Sequence, residues 1–203
     1  MRLAKGDTLH ADRVLVAVGG YSVSEGLLAD PLDLMAYGRT VLFYDLDEAE
    51  QARLKGMPSL IAKVRAPDDE IYMLPPVAYP DGAVRLKIGG EPDDLLIEGR
   101  AALGDWFRSP GRRETIGHLS AIMERRVPGL RHRGISSAAC ITTYTRSGHP
   151  AIGWAGKRIA VMTGGCGAAA KSSDEIGRLG AVLLSTGTIA GEGYASDFRV
   201  DFR

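Results

Sequence analysis

The sequence predicts a mixed α+β fold in which pairing between strands outweighs crossover helices. A Pro-Asp-Gly turn at 80–82 joins two apolar stretches, 71–74 and 83–88, in the way that a tight turn joins antiparallel strands. Further along, an apolar strand at 158–163 runs into a glycine-rich segment, and apolar residues then recur at helical spacing after Ser172. These observations predict paired strands with helices packed against them.

The composition is that of an ordinary globular protein. The chain has 203 residues, of which 45% are hydrophobic and 25% are charged, and its formal net charge is zero. This length predicts one domain or two small ones. The charge balance argues against nucleic acid as a partner. No apolar run has the length of a membrane-spanning helix, and the first residues lack the apolar core of a signal peptide, so neither is predicted.

The cysteines and histidines predict neither a disulfide framework nor a metal site. Cys140 and Cys166 are 26 positions apart, and the chain has no Cys-x-x-Cys pair. Its four histidines are scattered without the spacing of metal ligands. Isolated thiols suit a reducing compartment, and we therefore predict a cytoplasmic protein.

The first predicted element is a hairpin. A Lys-Gly-Asp turn at 5–7 connects the first three residues to a buried strand at 13–18, which Gly19 and Gly20 end abruptly. A further strand is predicted at 40–44, because aromatic and branched apolar residues dominate it.

Helix starts are predicted from capping residues. Asp47 and Glu50 have the spacing of a capping box, which predicts a short helix ending near residue 56. Ser109, followed by proline, predicts the start of a second helix, whose apolar face is Ile116, Leu119, Ile122 and Met123. Ser172 and Glu175 form another capping box, and the last helix is predicted to start there.

The most informative segment follows two predicted strands, 135–145 and 158–163. Gly165-x-Gly167-x-x-Ala170 fits a loose dinucleotide-binding fingerprint. One interpretation is an independent NAD site, although no strand clearly follows the last helix, as such a site requires. A second is a tight turn that needs small residues for packing. A third is a helix N-terminus that faces the anionic edge of a flavin ring.

Three segments of the chain resemble, in order, the FAD-dependent amino-acid oxidase family, and in particular its sarcosine-oxidase-like branch. The first is 5–21, KGDTLHADRVLVAVGGY, which resembles the end of the family's FAD-binding domain. The second is 85–89, RLKIG, and the third runs from Cys140 through the glycine run to residue 177. Together they span most of the chain.

The resemblance implies the C-terminal portion of a two-domain FAD-dependent oxidoreductase. Residues 1–24 would end the FAD-binding domain, and 25–135 would form the substrate-binding, catalytic domain with a mixed or antiparallel sheet. Residues 136–203 would return to the FAD-binding domain, with the flavin-facing glycine turn and the C-terminal helix.

The resemblance also implies roles for individual residues. Lys87 corresponds to a lysine over the flavin N5 edge that is associated with oxygen activation; the alternative is a surface lysine on a strand. Cys140 corresponds to the cysteine that attaches FAD covalently through a thioether, and the alternative is an inert buried thiol. Lys171 corresponds to a lysine that pairs with the substrate carboxylate; the alternative is a solvated lysine at a helix start.

The remaining residues expected at the flavin come from the two glycine turns. They are Gly19, Gly20, Gly164, Gly165, Gly167 and Ala168. Cys166, within the second turn, is assigned no role. The branch has histidines at the positions of Glu91 and Ala168, and residues 168–170 are all alanine, without the usual aromatic residue. These departures predict a differently shaped substrate pocket.

The implied activity is oxidation of a C–N bond in an amino acid or secondary amine by hydride transfer to FAD. The family's dinucleotide-binding strand, G-x-G-x-x-G turn and helix are not found before residue 5. We therefore expect a truncated or split protein with an exposed apolar surface at 1–21, which favours an N-terminal FAD-binding chain or a homo-oligomer as partner.

Two other functions remain open at this point. One is a non-catalytic remnant or a split-gene subunit that needs a separate FAD-binding chain. The other is an unrelated α+β domain that binds a small anion at 164–171 without any flavin.

Overall fold

A computed structural model describes residues 2–63, 70–90 and 94–203, and the chain divides into two compact units. Unit 1 comprises Met1–Ala36, Glu98–Arg100 and Thr142–Arg203. Unit 2 comprises Tyr37–Ile97 and Ala101–Ile141. The division follows from contacts between residues and does not show what each unit binds. The predicted assignment of FAD-binding and substrate-binding segments therefore stays a prediction.

Strands and helices are mixed along the chain, which confirms the predicted α+β class. The strands are β1 (Val14–Val16), β2 (Leu34–Asp45), β3 (Leu60–Ala62), β4 (Ile71–Ala78), β5 (Val84–Gly90), β6 (Leu95–Leu96), β7 (Gly134–Thr145), β8 (Ala151–Trp154) and β9 (Ile159–Thr163). The helices are α1 (Glu48–Arg53), α2 (Gly99–Phe107), α3 (Arg113–Arg126) and α4 (Ala169–Thr186). In the described part of the chain, no helix is long and apolar enough to cross a membrane.

Unit 1 contains a three-stranded sheet in the order β1-β9-β8. β1 runs parallel to β9, with Val14 opposite Ile159, whereas β8 is antiparallel to β9. The apolar face of α4 packs on this sheet through Leu179 and Leu183, which are almost fully buried with Ile152. A single amphipathic helix therefore supplies most of the core on this side of the sheet.

Unit 2 contains a sheet in the order β3-β4-β5-β2-β6, and β7 also pairs with β2. The hairpin of β4 and β5 is antiparallel, as its Pro-Asp-Gly turn predicts. The face of α3 predicted from its spacing is buried against this sheet, at Leu119, Ile122 and Met123. Since alternate strand residues point to opposite faces, Leu86 and Ile88 meet this helix, and Lys87 between them faces away from it.

Of the first two predicted helix starts, one agrees in part with its predicted cap and the other is wrong. Asp47 caps α1 as predicted, accepting a 2.7 Å hydrogen bond from the backbone N–H of Glu50. The Glu50 carboxylate does not return this bond and instead binds Arg53 and Arg131. The predicted start of α3 at Ser109 is wrong, because the Ser109 hydroxyl closes a local turn by accepting from the backbone N–H of residue 111.

The predicted start of the last helix is also wrong. α4 begins at Ala169, three residues before Ser172, and its N-cap residue Ala168 makes no side-chain capping bond. The Glu175 carboxylate, predicted to complete the capping box, binds Arg178 and Tyr194 instead. The small side chains of the preceding turn allow the backbone to enter the helix earlier than the polar pattern indicates.

The N-terminal hairpin is shorter than predicted. Its turn closes through a hydrogen bond from the backbone N–H of Leu3 to the Asp7 carbonyl and an isolated bridge between Arg2 and Thr8. The strand at 14–16 pairs with β9 instead of with this hairpin.

Candidate functional site

The turn between β9 and α4 is wound in left-handed backbone conformations. Gly164, Cys166 and Gly167 have φ angles of +69°, +47° and +73°. The backbone N–H of Cys166 donates to the Thr143 carbonyl at 2.8 Å, and that of Ala168 donates to the Gly165 carbonyl at 2.8 Å. The chain therefore turns from strand to helix within five residues, and these bonds fix the path.

The packing of the protein itself explains why this turn is rich in glycine. A Cβ atom on Gly164 would lie 2.5 Å from Thr145 Cγ2, and one on Gly165 would lie 2.4 Å from Ala169 Cβ. Both distances are too short for real side chains. At Gly167 a Cβ would approach the Tyr144 hydroxyl at 3.1 Å. The packing requirement predicted for this turn is therefore present, whether or not a ligand also binds here.

The start of α4 carries positive charge without an internal anion. No side chain caps Ala168, and the first turn of the helix holds no acidic residue. Lys171 is exposed and belongs to this first turn, so it lies inside the helix and not before its N-cap as predicted. The N–H groups at a helix N-terminus and a nearby lysine both favour an anion.

A second glycine turn lies next to the first one. Because β1 and β9 are parallel neighbours, their carboxyl ends lie at the same edge of the sheet. Gly19 and Gly20 begin a 3₁₀ turn after β1, and Gly19 has a φ of +57°. The Thr163 hydroxyl, at the end of β9, donates to the buried Ser22 hydroxyl at 2.7 Å. The carboxyl edge of parallel strands is where α/β sheets usually bind ligands.

Lys87 lies on β5, on the sheet face of unit 2 that points away from α3. It is half-buried, and its Nζ atom lies 5.5 Å from the ring centre of Tyr72 and 5.7 Å from that of Phe43. No carboxylate in the described ranges forms an ion pair with it. Lys87 is thus a partly accessible lysine on a strand, and the flavin role implied for it stays a prediction.

Cys140 lies on β7 and is half-buried, and both cysteines of the chain are free thiols. The backbone at this position is fixed by Trp106, whose Nε1–H donates to the Cys140 carbonyl at 2.7 Å. The Cys140 thiol makes only a weak contact, at 3.8 Å, with the carbonyl of the next residue. A partly accessible thiol on a rigid strand is compatible with either interpretation of this residue.

The structure brings the predicted residues together in two groups. The glycines of both turns, Ala168 and Lys171 lie in unit 1, whereas Lys87 and Cys140 lie in unit 2. Glu91, named for its departure from the sarcosine-oxidase-like pattern, lies outside the described residues. Residues 187–203 form no parallel strand beside β9, so the NAD interpretation lacks the element that it needs.

Two aromatic residues near Lys87 were missed from the sequence. Phe43 lies directly across from Lys87 on β2, and Tyr72 lies on β4 across from Gly89. The alternating pattern of the strands contains this information only once their register is known. In the described ranges, no group of three His, Cys, Asp or Glu side chains could hold a metal ion.

The donor set of unit 1 fits the edge of a flavin ring, as the resemblance implies. The two glycine turns lie at one edge of the sheet, with Gly19 and Gly167 exposed and Gly164 buried, and the uncapped start of α4 supplies N–H donors with Lys171 beside them. These groups suit the negative charge that develops at the pyrimidine edge of a reduced flavin. The first turn of α4 contains no acidic residue that would repel this negative charge.

Solved structures of several oxidases share this fold. A thermally stable fructosyl peptide oxidase mutant matches with a TM-score of 0.73 at 17% identity, over 98% of this chain and 47% of its own. Fructosyl amine:oxygen oxidoreductase (Amadoriase I) from Aspergillus fumigatus matches with a TM-score of 0.67 at 19% identity, over 95% and 44%. A variant of NikD, an unusual amino acid oxidase, matches with a TM-score of 0.63 at 15% identity, over 94% and 48%.

At these identities the likeness establishes the fold alone, and the chain spans less than half the length of these structures. No curated protein matches the chain in sequence. The sequence profile described as FAD dependent oxidoreductase matches residues 2–183, which is most of the chain. The chain therefore belongs to the FAD dependent oxidoreductase family.

Proposed function

We propose that this chain is part of an enzyme that oxidises the C–N bond of an amino acid or secondary amine. The observation that carries the proposal is the pair of glycine turns at the carboxyl ends of two parallel strands, one of them leading into the uncapped helix α4. Family membership supports FAD as the cofactor. Bound FAD supplies the hydride acceptor, and the chain's own residues supply binding, orientation and charge.

The unit 1 residues hold the flavin ring and the substrate in this proposal. Backbone at Gly19, Gly20, Gly164, Gly165 and Gly167, together with Ala168, lies against the ring and its pyrimidine edge. The exposed Lys171 pairs with the carboxylate of the substrate, and the positive end of α4 adds to its charge. Orientation of the reacting C–H bond toward the ring is then the main contribution of the protein.

Lys87 supplies positive charge beside the ring. Lys87 has no carboxylate partner among residues 2–63, 70–90 and 94–203. An ammonium group that is not neutralised stabilises negative charge that develops near it, and this favours oxygen as the electron acceptor. We therefore favour an oxidase over a dehydrogenase.

Cys140 is the proposed point of covalent FAD attachment. A thioether to the cofactor needs an accessible thiol on a fixed backbone, and both conditions hold at this position. Cys166 lies in the glycine turn, where its thiol donates to the Gly164 carbonyl at 3.0 Å, and we assign it no part in attachment.

The substrate is proposed to be a small amine or amino acid, in keeping with the sarcosine-oxidase-like branch. Two proteins that share this fold, a fructosyl amine:oxygen oxidoreductase and an amino acid oxidase, favour the same class. Alanines at 168–170 leave room that bulkier residues would fill. A substrate larger than a simple methylated glycine is compatible with that space.

In the whole enzyme, we propose a substrate-binding domain formed by 25–135 and an FAD-binding domain to which 1–24 and 136–203 contribute. The dinucleotide-binding motif is proposed to come from outside these 203 residues, on the same or on another polypeptide. Apolar side chains at the N-terminal segment support a covering partner, because Leu9, Val18 and Tyr21 are 49%, 42% and 37% exposed. A second copy of this chain is proposed as an alternative partner. The protein is proposed to be cytoplasmic.

The visible absorption spectrum tests the proposed function. The chain would be purified alone and after co-expression with any adjacent reading frame that encodes a G-x-G-x-x-G motif, and each sample would then be precipitated with acid. Flavin absorption in either sample supports the flavoenzyme. Its absence from both would overturn this function and leave a non-catalytic remnant or an anion-binding domain.

The acid pellet tests the covalent bond separately. Colour retained in the pellet supports a cysteinyl link, and colour released to the supernatant rejects it. Cys140→Ser should release the colour, whereas the matched variant Cys166→Ser should retain it, since both residues are free thiols in the same chain.

A further inference from the structure

We propose that Tyr72 is a positioning residue which, together with Phe43, holds the Lys87 ammonium group. These residues lie on the outer face of the unit 2 sheet, meaning the face that points away from α3. The Tyr72 ring packs directly on Gly89, and we propose that this contact fixes its position. This rests on the proposed function, in which Lys87 places positive charge beside the flavin. Tyr72 acts through Lys87 and is not itself assigned contact with substrate or cofactor.

The strand register brings these residues to one face. Phe43 lies directly opposite Lys87 across the β2–β5 pair, and Tyr72 lies directly opposite Gly89 across the β4–β5 pair. Lys87 and Gly89 are two residues apart on β5, so both point to the same side of the sheet. The lysine side chain therefore rises between two aromatic rings contributed by its neighbouring strands.

Both rings are within cation–π distance of the ammonium group. Nζ of Lys87 lies 5.5 Å from the Tyr72 ring centre and 5.7 Å from the Phe43 ring centre. An ammonium group within about 6 Å of a ring centre is attracted by the negative face of the ring, most strongly where water is partly excluded. All three side chains are half-buried.

The Tyr72 ring occupies the space that a side chain at position 89 would fill. A Cβ atom on Gly89 would lie 2.6 Å from the Cε1, Cζ and Oη atoms of Tyr72, so the ring rests directly on the glycine backbone. Gly89 has no left-handed φ, and a side chain there would not strain the backbone. The glycine is therefore required for the position of the Tyr72 ring, and an added methyl group would displace the ring.

Arg85, on the same strand, is a cation that is neutralised by ion pairs and therefore serves as a comparison for Lys87. Arg85 is two residues before Lys87 on the same face, and its guanidinium binds the carboxylates of Asp45 and Asp81, both at 2.6 Å. Lys87 has no ion-pair partner within the described ranges. Rings hold a cation in place without neutralising it, so the Lys87 charge stays available to a developing anion.

The first test measures the ring pair in the full chain without cofactor. The chain has six lysines, so carbon-13 labelling of lysine gives a simple spectrum in which Lys87→Gln identifies the Lys87 resonance. We expect its ε-methylene protons to lie upfield of the other five because two rings shield them. Tyr72→Leu and Gly89→Ala should both move the resonance toward the others, and Tyr72→Phe should leave it in place.

A matched control uses a ring that contacts a different cation of the same sheet. Tyr37 lies 5.3 Å from the guanidinium of Arg39, which pairs with Asp94. Tyr37→Leu should leave the Lys87 resonance unchanged. A wild-type Lys87 resonance among those of the other lysines, or one unmoved by Tyr72→Leu, would overturn the proposal. A resonance moved by Tyr72→Leu but not by Gly89→Ala would overturn the role of Gly89.

The second test asks whether Tyr72 acts through Lys87 in flavin-loaded protein. Reoxidation of the reduced flavin by oxygen should slow about fivefold in Tyr72→Leu and change little in Tyr72→Phe, since fivefold matches a contact of about 1 kcal/mol. In a Lys87→Met background, Tyr72→Leu should have no further effect. An equal slowing in that background contradicts action through Lys87. Protein that never binds flavin refutes the proposed function, and the resonance test still decides whether the rings hold Lys87.

Discussion

The glycine turns of unit 1 and the outer sheet face of unit 2 would contact a bound ligand through different kinds of group. In unit 1 the proposed contacts are made by backbone, in the turn that holds Gly164 and Gly167 and at the start of α4, and the side chains there are small. In unit 2 they are made by side chains, Lys87 between Tyr72 and Phe43, on a regular strand backbone. A backbone contact depends on local conformation, whereas a side-chain contact depends on strand register.

This difference decides which substitutions should be tolerated. A side chain added to the unit 1 turn collides with the protein's own atoms, so it should harm folding before it harms binding. A side chain removed from the unit 2 face leaves a half-buried surface, so it should alter charge and contact with little cost to folding. Four comparisons test this contrast, and they are ordered by the size of the expected effect.

The largest effect is expected at Gly164. Gly164→Ala should lower the free energy of unfolding by about 3 kcal/mol, because a Cβ would lie 2.5 Å from Thr145 Cγ2 and the φ of +69° is left-handed. Gly187→Ala is the matched control, with a φ of +89° and no atom within 4 Å of the added Cβ. It should cost only about 1 kcal/mol, since it carries the backbone term alone. Urea unfolding measures both, and equal losses would show that the close contact at Gly164 relaxes freely.

Glu50 in unit 2 comes next, with Glu175 in unit 1 as its counterpart. Hydrogen bonds from Arg53, against the opposing effect of desolvation, lower the pKa of the inaccessible Glu50 carboxyl to about 2. Hydrogen bonds from Arg178 and Tyr194 lower the pKa of Glu175 to about 2 as well, but at the surface. Glu50→Gln should lower the free energy of unfolding by about 2 kcal/mol at neutral pH, because two arginines lose a buried partner.

The pH dependence follows from the direction of these shifts. A pKa lowered by folding contributes stability above the usual carboxyl range, and that stability is lost as pH falls toward about 2. The difference between wild type and Glu50→Gln should therefore shrink through that interval. Glu175→Gln should show a smaller difference that 1 M salt removes, because exposed charges are screened. A Glu50 effect that salt also removes would contradict its burial.

The third comparison sets Arg85 against Lys87 on one strand. Arg85→Met breaks ion pairs with Asp45 and Asp81, and should lower the thermal midpoint by about 2 °C. Lys87→Met removes a cation that has no carboxylate partner in the described ranges, but the methionine still packs on the two rings, so the midpoint should stay within about 1 °C of wild type. Differential scanning fluorimetry measures both. A larger loss at Lys87 than at Arg85 would mean that Lys87 is mainly structural.

The smallest effect is expected at Cys166, the one described non-glycine residue with a positive φ, at +47°. Cys166→Gly should raise the free energy of unfolding by about 0.5 kcal/mol, because glycine adopts this conformation without strain. Cys166→Ala keeps the strain and loses the thiol contact to the Gly164 carbonyl, so it should be neutral or slightly destabilising. The urea midpoints of the two variants measure these changes. A lower free energy of unfolding in both variants would show that the thiol contact outweighs the backbone strain.

Elements with strong local patterns were predicted well from the sequence. The β4–β5 hairpin follows its Pro-Asp-Gly turn, and α3 buries the predicted apolar face. Helix starts were predicted less well, because capping residues compete with other local bonds. Ser109 closes a turn before α3, and Glu175 pairs with Arg178 instead of capping α4.

The sequence by itself determined the α+β class, the glycine turn before α4 and, through three ordered segments, the resemblance to a flavoenzyme family that the profile match confirms. These features are local in sequence, so they are visible without knowing which strands pair. The tertiary structure decided the rest. Only the parallel pairing of β1 with β9 brings Gly19 beside Gly164, and only the register of β4 and β5 sets Tyr72 on Gly89 next to Lys87. Such contacts join distant residues, because a register shift of one position would turn every side chain to the other face.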